Sequence, residues 1–246
     1  MNSKEFWLGA AAGIIANFLT TLLYFGLKFG WKNTIPTLGW AFKFSGKMRS
    51  LKMVAFNRSR DDYAHSHPYA KSVPAYASQA KRTLVFVSIN LVSGLSFDGL
   101  CNTLREMLER EPGVEITISL LNPTKGHLIA CICTGHDITE TEMAGKINGT
   151  LKSLTLFKDS LSKNAQARFK IRLHNTVPWA SAILVDHDQP NGRIQFETKA
   201  YKTSFRESFG FELENGGIHP MYKMFVKAYL DLVKDGQDYV STEMAP

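Results

Sequence analysis

The sequence is poor in the features that mark the common motif-bearing classes. Its three cysteines, Cys101, Cys131 and Cys133, are too few and too unevenly placed to staple a secreted module, and a reducing compartment is expected. There is no GxGxxG, no GxxxxGK[ST], no GxSxG and no HExxH, so dinucleotide, P-loop, serine-hydrolase and zincin chemistry lack their sequence signatures. Acid is almost missing from the first 60 residues, where Glu5 stands alone against nine Lys and Arg. The net charge of +7 therefore belongs to the N-terminal quarter, and the rest of the 246-residue chain holds 20 basic and 21 acidic residues. No repeat or low-complexity tract is visible, and with 44% hydrophobic residues the chain is able to build a sizeable core.

Phe6 to Leu27 is an uncharged apolar run of 22 residues, FWLGAAAGIIANFLTTLLYFGL. A helix of that length spans about 30 Å of hydrocarbon, so residues 1–32 are expected to be a single transmembrane anchor. Eight of the nine basic residues follow it, which predicts a short N-terminus outside and the C-terminal body in the cytoplasm, at the inner or plasma membrane. Phe6, Trp7, Tyr24, Leu27 and Trp31 mark the two boundaries. Gly9, Gly13 and Asn17 lie on one helix face suited to close helix approach, which predicts a homo-oligomer.

Residues 33–60 mix aromatic and basic side chains without an acid and read as an in-plane amphipathic segment on an anionic bilayer surface. Nucleic acid is not expected as a partner, because no recognised binding module accompanies the charge. Residues 61–82, with Pro68 and Pro74, read as a linker, and His65 and His67 lie within it without partners for a metal.

From Thr83 the pattern becomes that of an α/β domain over residues 83–240, a mixed β-sheet flanked by helices. TLVFVSINL (83–91) reads as a buried strand. A helix follows with Leu100, Leu104, Met107 and Leu108 on one face, and then a second strand, VEITISLL (114–121). The two strands should be parallel with a right-handed crossover. Thr139-x-x-Glu142 predicts the start of a helix reaching Ser160. Strands are expected at 168–174, 181–186, 192–197 and 208–212, the last three as a meander, with a closing helix over 219–234. His127, Cys131, Cys133 and His136 sit in or beside an apolar run at spacings foreign to zinc sites, so buried thiols and no metal or cofactor are expected.

The order of these elements, with the phrases LREMLEREPGVEITISLLNP, ARFKIRLHNTVPWASAILVD and GRIQFETKAY, resembles phospholipase D-like α/β domains of bacterial regulatory and defence-type proteins. Active members of that superfamily carry HxKxxxxD. Setting the acid of that pattern on Asp186 places Ser181 at the lysine and Trp179 at the histidine, so the resemblance implies a fold without its phosphodiesterase residues. It implies a membrane-anchored sensor or binding protein in a stress or defence setting, with an unidentified small ligand or protein partner. The alternatives are a divergent membrane-bound phosphodiester or lipid hydrolase, and a structural membrane scaffold. His174 and Asp186 are the candidate catalytic pair, a carboxylate able to orient an imidazole base. Asn90, Ser93, Asn122, Lys125 and His174 are candidate ligand-binding residues at the carboxyl ends of parallel strands, suited to a phosphate or nucleotide-like group.

Overall fold

The computed structural model describes residues 46–48, 50–57, 72–91, 97–134, 138–198, 208–216 and 220–240. The chain divides into two compact units, Met1–Arg49 and Ser50–Pro246, and of the first only residues 46–48, in a helical turn, are described.

The second unit is built on one mixed sheet of eight strands in the order β1-β7-β6-β5-β2-β3-β4-β8. The strands are β1 (Met53–Asn57), β2 (Thr83–Ser88), β3 (Glu115–Leu121), β4 (Phe169–His174), β5 (Ser181–Val185), β6 (Arg193–Thr198), β7 (Phe209–Glu214) and β8 (Gln237–Asp238). The helices are α1 (Val73–Ala77), α2 (Phe97–Arg110), α3 (Gly126–Thr134), α4 (Glu140–Asp159), α5 (Lys163–Arg168) and α6 (Met221–Lys234). Strands β2, β3 and β4 run parallel, and β5, β6, β7 and β1 continue the sheet antiparallel from the other side of β2. The mixed α/β architecture is thus as expected.

Strand β2 explains the layering. Leu84 and Phe86 enter one core with residues of α1, α2, α3 and α4, while the alternate residues Val85 and Val87 enter a second core beneath α6. Burial on both faces makes this strand a continuous apolar run. Each fully buried Leu or Phe contributes about 1.5–3 kcal/mol, so the central strands hold both helical layers in place.

Polar side chains close the helix ends. Thr139 caps α4, its hydroxyl accepting from the Glu142 N–H at 3.2 Å. Arg168 donates to the carbonyls of Glu111 (3.0 Å) and Val114 (2.8 Å) and to Leu108, fixing the exit of α2. Arg172 does the same for α6, donating to Val233 (2.9 Å) and Gly236 (2.8 Å) while pairing with Asp238 at 2.6 Å. Both guanidiniums sit where a helix C-terminus presents unsatisfied carbonyls.

Two sequence expectations are corrected here. Met53–Asn57, placed in a membrane-surface segment over 33–60, is instead an edge strand paired with β7. Part of the 61–82 linker is structured too. Ser72 caps α1, and Tyr76, Ala77 and Ala80 are buried in the main core. The remaining residues of these two segments, with His65 and His67, lie outside the described residues.

The anchor Phe6 to Leu27, and with it Phe6, Trp7, Gly9, Gly13, Asn17, Tyr24, Leu27 and Trp31, lies outside the described residues as well. Among the described residues no helix is long and apolar enough to cross a membrane. The fold class is therefore an α/β unit without a supported transmembrane helix, and the single-pass membrane localisation and its bilayer partner are withdrawn.

Candidate functional site

The two candidate catalytic residues lie at opposite ends of the sheet. His174 ends β4, beside Leu121 at the end of β3. Asp186 follows β5, which runs antiparallel to β2, so its backbone N–H donates to Thr83 at the start of β2, at 2.8 Å. The five residue steps from Thr83 to Ser88 separate the two ends by about 16 Å. No hydrogen-bonded pair is formed.

Each of the two has a structural occupation. The Asp186 carboxylate accepts from three successive backbone N–H groups, Lys81 (2.9 Å), Arg82 (2.8 Å) and Thr83 (3.0 Å), and so anchors the entry to β2. Its backbone is left-handed, with φ of 46°. His174 is fully buried, with Nδ1 3.0 Å from the Ser119 hydroxyl and Nε2 without a partner. Burial pushes its pKa down from 6.5 to about 4, so the ring is neutral near pH 7.

The other predicted residues divide. Asn122 is a turn residue: its Oδ1 accepts from the N–H (3.0 Å) and hydroxyl (2.9 Å) of Thr124, and its Nδ2 donates to Asn175 at 3.0 Å. Lys125 contributes its backbone to the start of α3, its carbonyl accepting from Leu128 at 2.9 Å. Ser93 lies outside the described residues. Asn90 alone reaches a cavity. It is buried, its carbonyl accepts from Thr150 at 2.9 Å, and its amide donates to the Met143 sulfur at 3.8 Å.

That cavity is a cleft of about 350 Å³ at the carboxyl end of β2. The chain order reverses at this strand, since β3 and β4 lie on one side of it and β5 on the other. A crevice at such a reversal is the usual ligand position of an open α/β sheet. The volume falls within the range of small-molecule sites. Hydroxyl groups mark the floor, with Ser88 and Ser181 oxygens 3.1 Å apart, flanked by Gln195 and Glu197 of β6. Leu91, Ile132, Met143 and Val177 give apolar walls, and Trp179 lies at the rim. Among the described residues the lining carries one carboxylate, Glu197, and no Lys, Arg or His. Lys125 and His174 are absent from it, so the expected phosphate cradle is not assembled from the residues proposed for it.

The helices supply the other wall, with Val73 of α1, Cys131 and Ile132 of α3 and Met143 of α4 among the lining residues. Beside the cleft α1 is pinned to the sheet. Tyr76 donates to the buried Glu212 carboxylate at 3.2 Å, and Arg193 pairs with the same carboxylate at 3.5 Å, donates to Gln79 and lies over the Tyr76 ring.

Cys131, expected to be buried, is exposed on α3 and lines the cleft. Cys133 is half-buried, its thiol pKa pushed up by burial and by Glu140 and Glu142. Burial and Asp98 push the Cys101 thiol up to about 11, so it is no thiolate near neutral pH. Among the described residues no group of three metal-ligating side chains converges.

Sequence reasoning missed Ser88, Ser181, Gln195 and Glu197. A signal was present in RIQFET (193–198), where Ile194 and Phe196 alternate with polar Arg193, Gln195 and Glu197. Such a strand has one face without a continuous apolar cover.

No family model matches the chain, and no curated protein matches it. Among solved structures, one similarity is to TrmBL2, described as an archaeal chromatin protein with a novel mode of DNA binding. It has 9% identity and a TM-score of 0.43, and it covers 93% of this chain and 70% of that one. A likeness at that level carries no argument about the activity of this chain. The comparisons do correct two expectations. The phospholipase D-like membership receives no family match, so that assignment and the pseudoenzyme reading built on it are dropped. The expectation that nucleic acid is not a partner is withdrawn with it.

Proposed function

We propose that the α/β unit is a binding domain that takes a small ligand in the cleft at the carboxyl end of β2 and does not hydrolyse it. The observation that carries this reading is the cleft itself: a site of about 350 Å³ at the chain-order reversal, with a hydroxyl and amide floor and apolar walls. Its described groups are suited to holding an uncharged, hydrogen-bonding ligand with an apolar body. Hydrolysis by His174 and Asp186 has no support in their placement, since one is buried against Ser119 and the other is engaged by three backbone N–H groups.

The test is a thermal-shift screen of the full chain against small amphiphiles, repeated with Ser181→Phe, which places a ring over the floor. The reading predicts a ligand-dependent rise in Tm that Ser181→Phe abolishes while its own Tm stays near wild type, and a ligand recovered intact. Turnover of a phosphodiester substrate that disappears in a folded His174→Ala protein would overturn it.

A further inference from the structure

A short row of polar side chains crosses three strands on the floor of the cleft. Ser88 follows Leu84 and Phe86 at the strand period and so lies on their face of the sheet. The Ser181 hydroxyl of β5 stands 3.1 Å from that of Ser88, and Glu197 of β6 is the direct register partner of Ser181. Residues directly opposite have Cβ atoms about 5 Å apart, so one small ligand group can reach both partners. The two hydroxyls bring two protons. One is spent between them, and the N–H of Leu91, held left-handed with φ of 58°, donates to Ser88 at 3.3 Å. Among the described residues no other acceptor takes the second hydroxyl proton, so the serine pair presents one O–H donor to the cleft.

An acceptor stands beside this donor. A carboxylate offers about four acceptor sites, so Glu197 can receive a ligand N–H in addition to its contacts within the protein. A donor next to an acceptor is the complement of an amide, whose carbonyl accepts and whose N–H donates on neighbouring atoms. Resting on the cleft as a ligand site, we propose that its head-group specificity is for a neutral carboxamide, open-chain or lactam. The carbonyl takes the serine hydroxyl, the N–H goes to Glu197, and the apolar remainder lies against Leu91, Ile132 and Met143. An ammonium group has three donors and no acceptor, so it leaves the hydroxyl proton unmet and is costly to desolvate between apolar walls. A carboxylate ligand has no donor and faces the like charge of Glu197. An alcohol has to serve both partners with one oxygen, whereas an amide offers separate atoms for two in-line bonds.

The test is calorimetric titration of the full chain with octanamide, octanol, octylammonium and octanoate, which share one apolar body and differ in the head group. Octanamide is expected to bind tightest, by about tenfold over each of the others, the scale of one additional satisfied hydrogen bond. Glu197→Gln keeps an acceptor but adds an N–H donor that suits a carboxylate, so the preference for octanamide over octanoate is expected to narrow about fivefold or more. If that variant fails to fold by circular dichroism, the head-group series on the wild-type protein carries the test alone. The proposal is overturned if octylammonium, octanol or octanoate binds tightest, if all four bind equally, if none binds, or if folded Glu197→Gln discriminates as wild type does. Equal binding of all four that Ser181→Phe abolishes would refute the carboxamide specificity while leaving the cleft as the ligand site. The cleft reading itself falls only with its own screen and its Ser181→Phe control.

Discussion

His174 makes stability depend on pH in a way that can be worked out from its surroundings. The ring is fully buried, bonded only through Nδ1 to Ser119, and its Nε2 has no partner, so a proton there would be an uncompensated buried charge. Its folded pKa is lowered to about 4 against 6.5 for an ordinary histidine. A depressed folded pKa means that the unfolded chain takes up the proton first. The stabilisation is therefore complete above about pH 7 and is lost as pH falls from 6.5 towards 4. At about 1.4 kcal/mol per pKa unit, the full loss is on the order of 3 kcal/mol, of which roughly 2 kcal/mol is gone by about pH 5. The comparison is with His174→Asn, which keeps a polar atom for Ser119 and removes the titration. Urea unfolding of both full-length proteins from about pH 7 to pH 4.5 gives the assay, since carboxylates common to both cancel in the difference. Near pH 7 the variant is expected to be the weaker by about 1–2 kcal/mol, from the cavity it leaves. On acidification the gap should close and then reverse. Stabilities that fall in parallel over the whole range would refute the buried, neutral imidazole.

Three further substitutions test the frame of the sheet. Asp186→Ala removes the acceptor of three backbone N–H groups and puts alanine at a φ of 46°, so a loss of about 3 kcal/mol or more is expected in urea unfolding. A near-neutral effect would mean that the entry to β2 does not depend on this carboxylate. Gly192→Ala would drive a Cβ into the Asp186 carbonyl and to 2.6 Å from the Tyr222 hydroxyl, and a Tm lower by several degrees is expected. Glu212→Ala leaves Arg193 and the Tyr76 hydroxyl without their shared carboxylate, with an expected loss of about 3 kcal/mol and faster hydrogen exchange in α1.

The β2-α2-β3 unit was legible because its periods are unambiguous: a continuous apolar strand, a helix with Leu100, Leu104, Met107 and Leu108 on one face, and a second apolar strand. The antiparallel meander of β5, β6 and β7 and the Thr139 cap were legible for similar local reasons. Strand β1 was not, since Phe56 is exposed at the sheet edge and the surrounding lysines and arginines imitate a basic amphipathic helix. The short β8 exists through its pairing with β4, supported by the Arg172 contact to Asp238, a tertiary feature without a local pattern. The candidate site suffered from the same difficulty. Residue types pointed to His174 with Asp186, but which end of the sheet each occupies depends on β5 lying antiparallel to β2, a register that local sequence does not encode. Asn90 follows β2 and lines the cleft, while Ser88 and Ser181 become a pair only when β2 and β5 meet.

The central claim is that the cleft at the carboxyl end of β2 holds a ligand without cleaving it, and the most direct measurement is a crystal structure of the full chain soaked with the strongest compound from the thermal-shift screen. The expected result is density for the intact compound over the Ser88 and Ser181 hydroxyls, bounded by Leu91, Ile132 and Met143. A cleaved product there, or a compound bound elsewhere with the cleft unoccupied, would contradict the account.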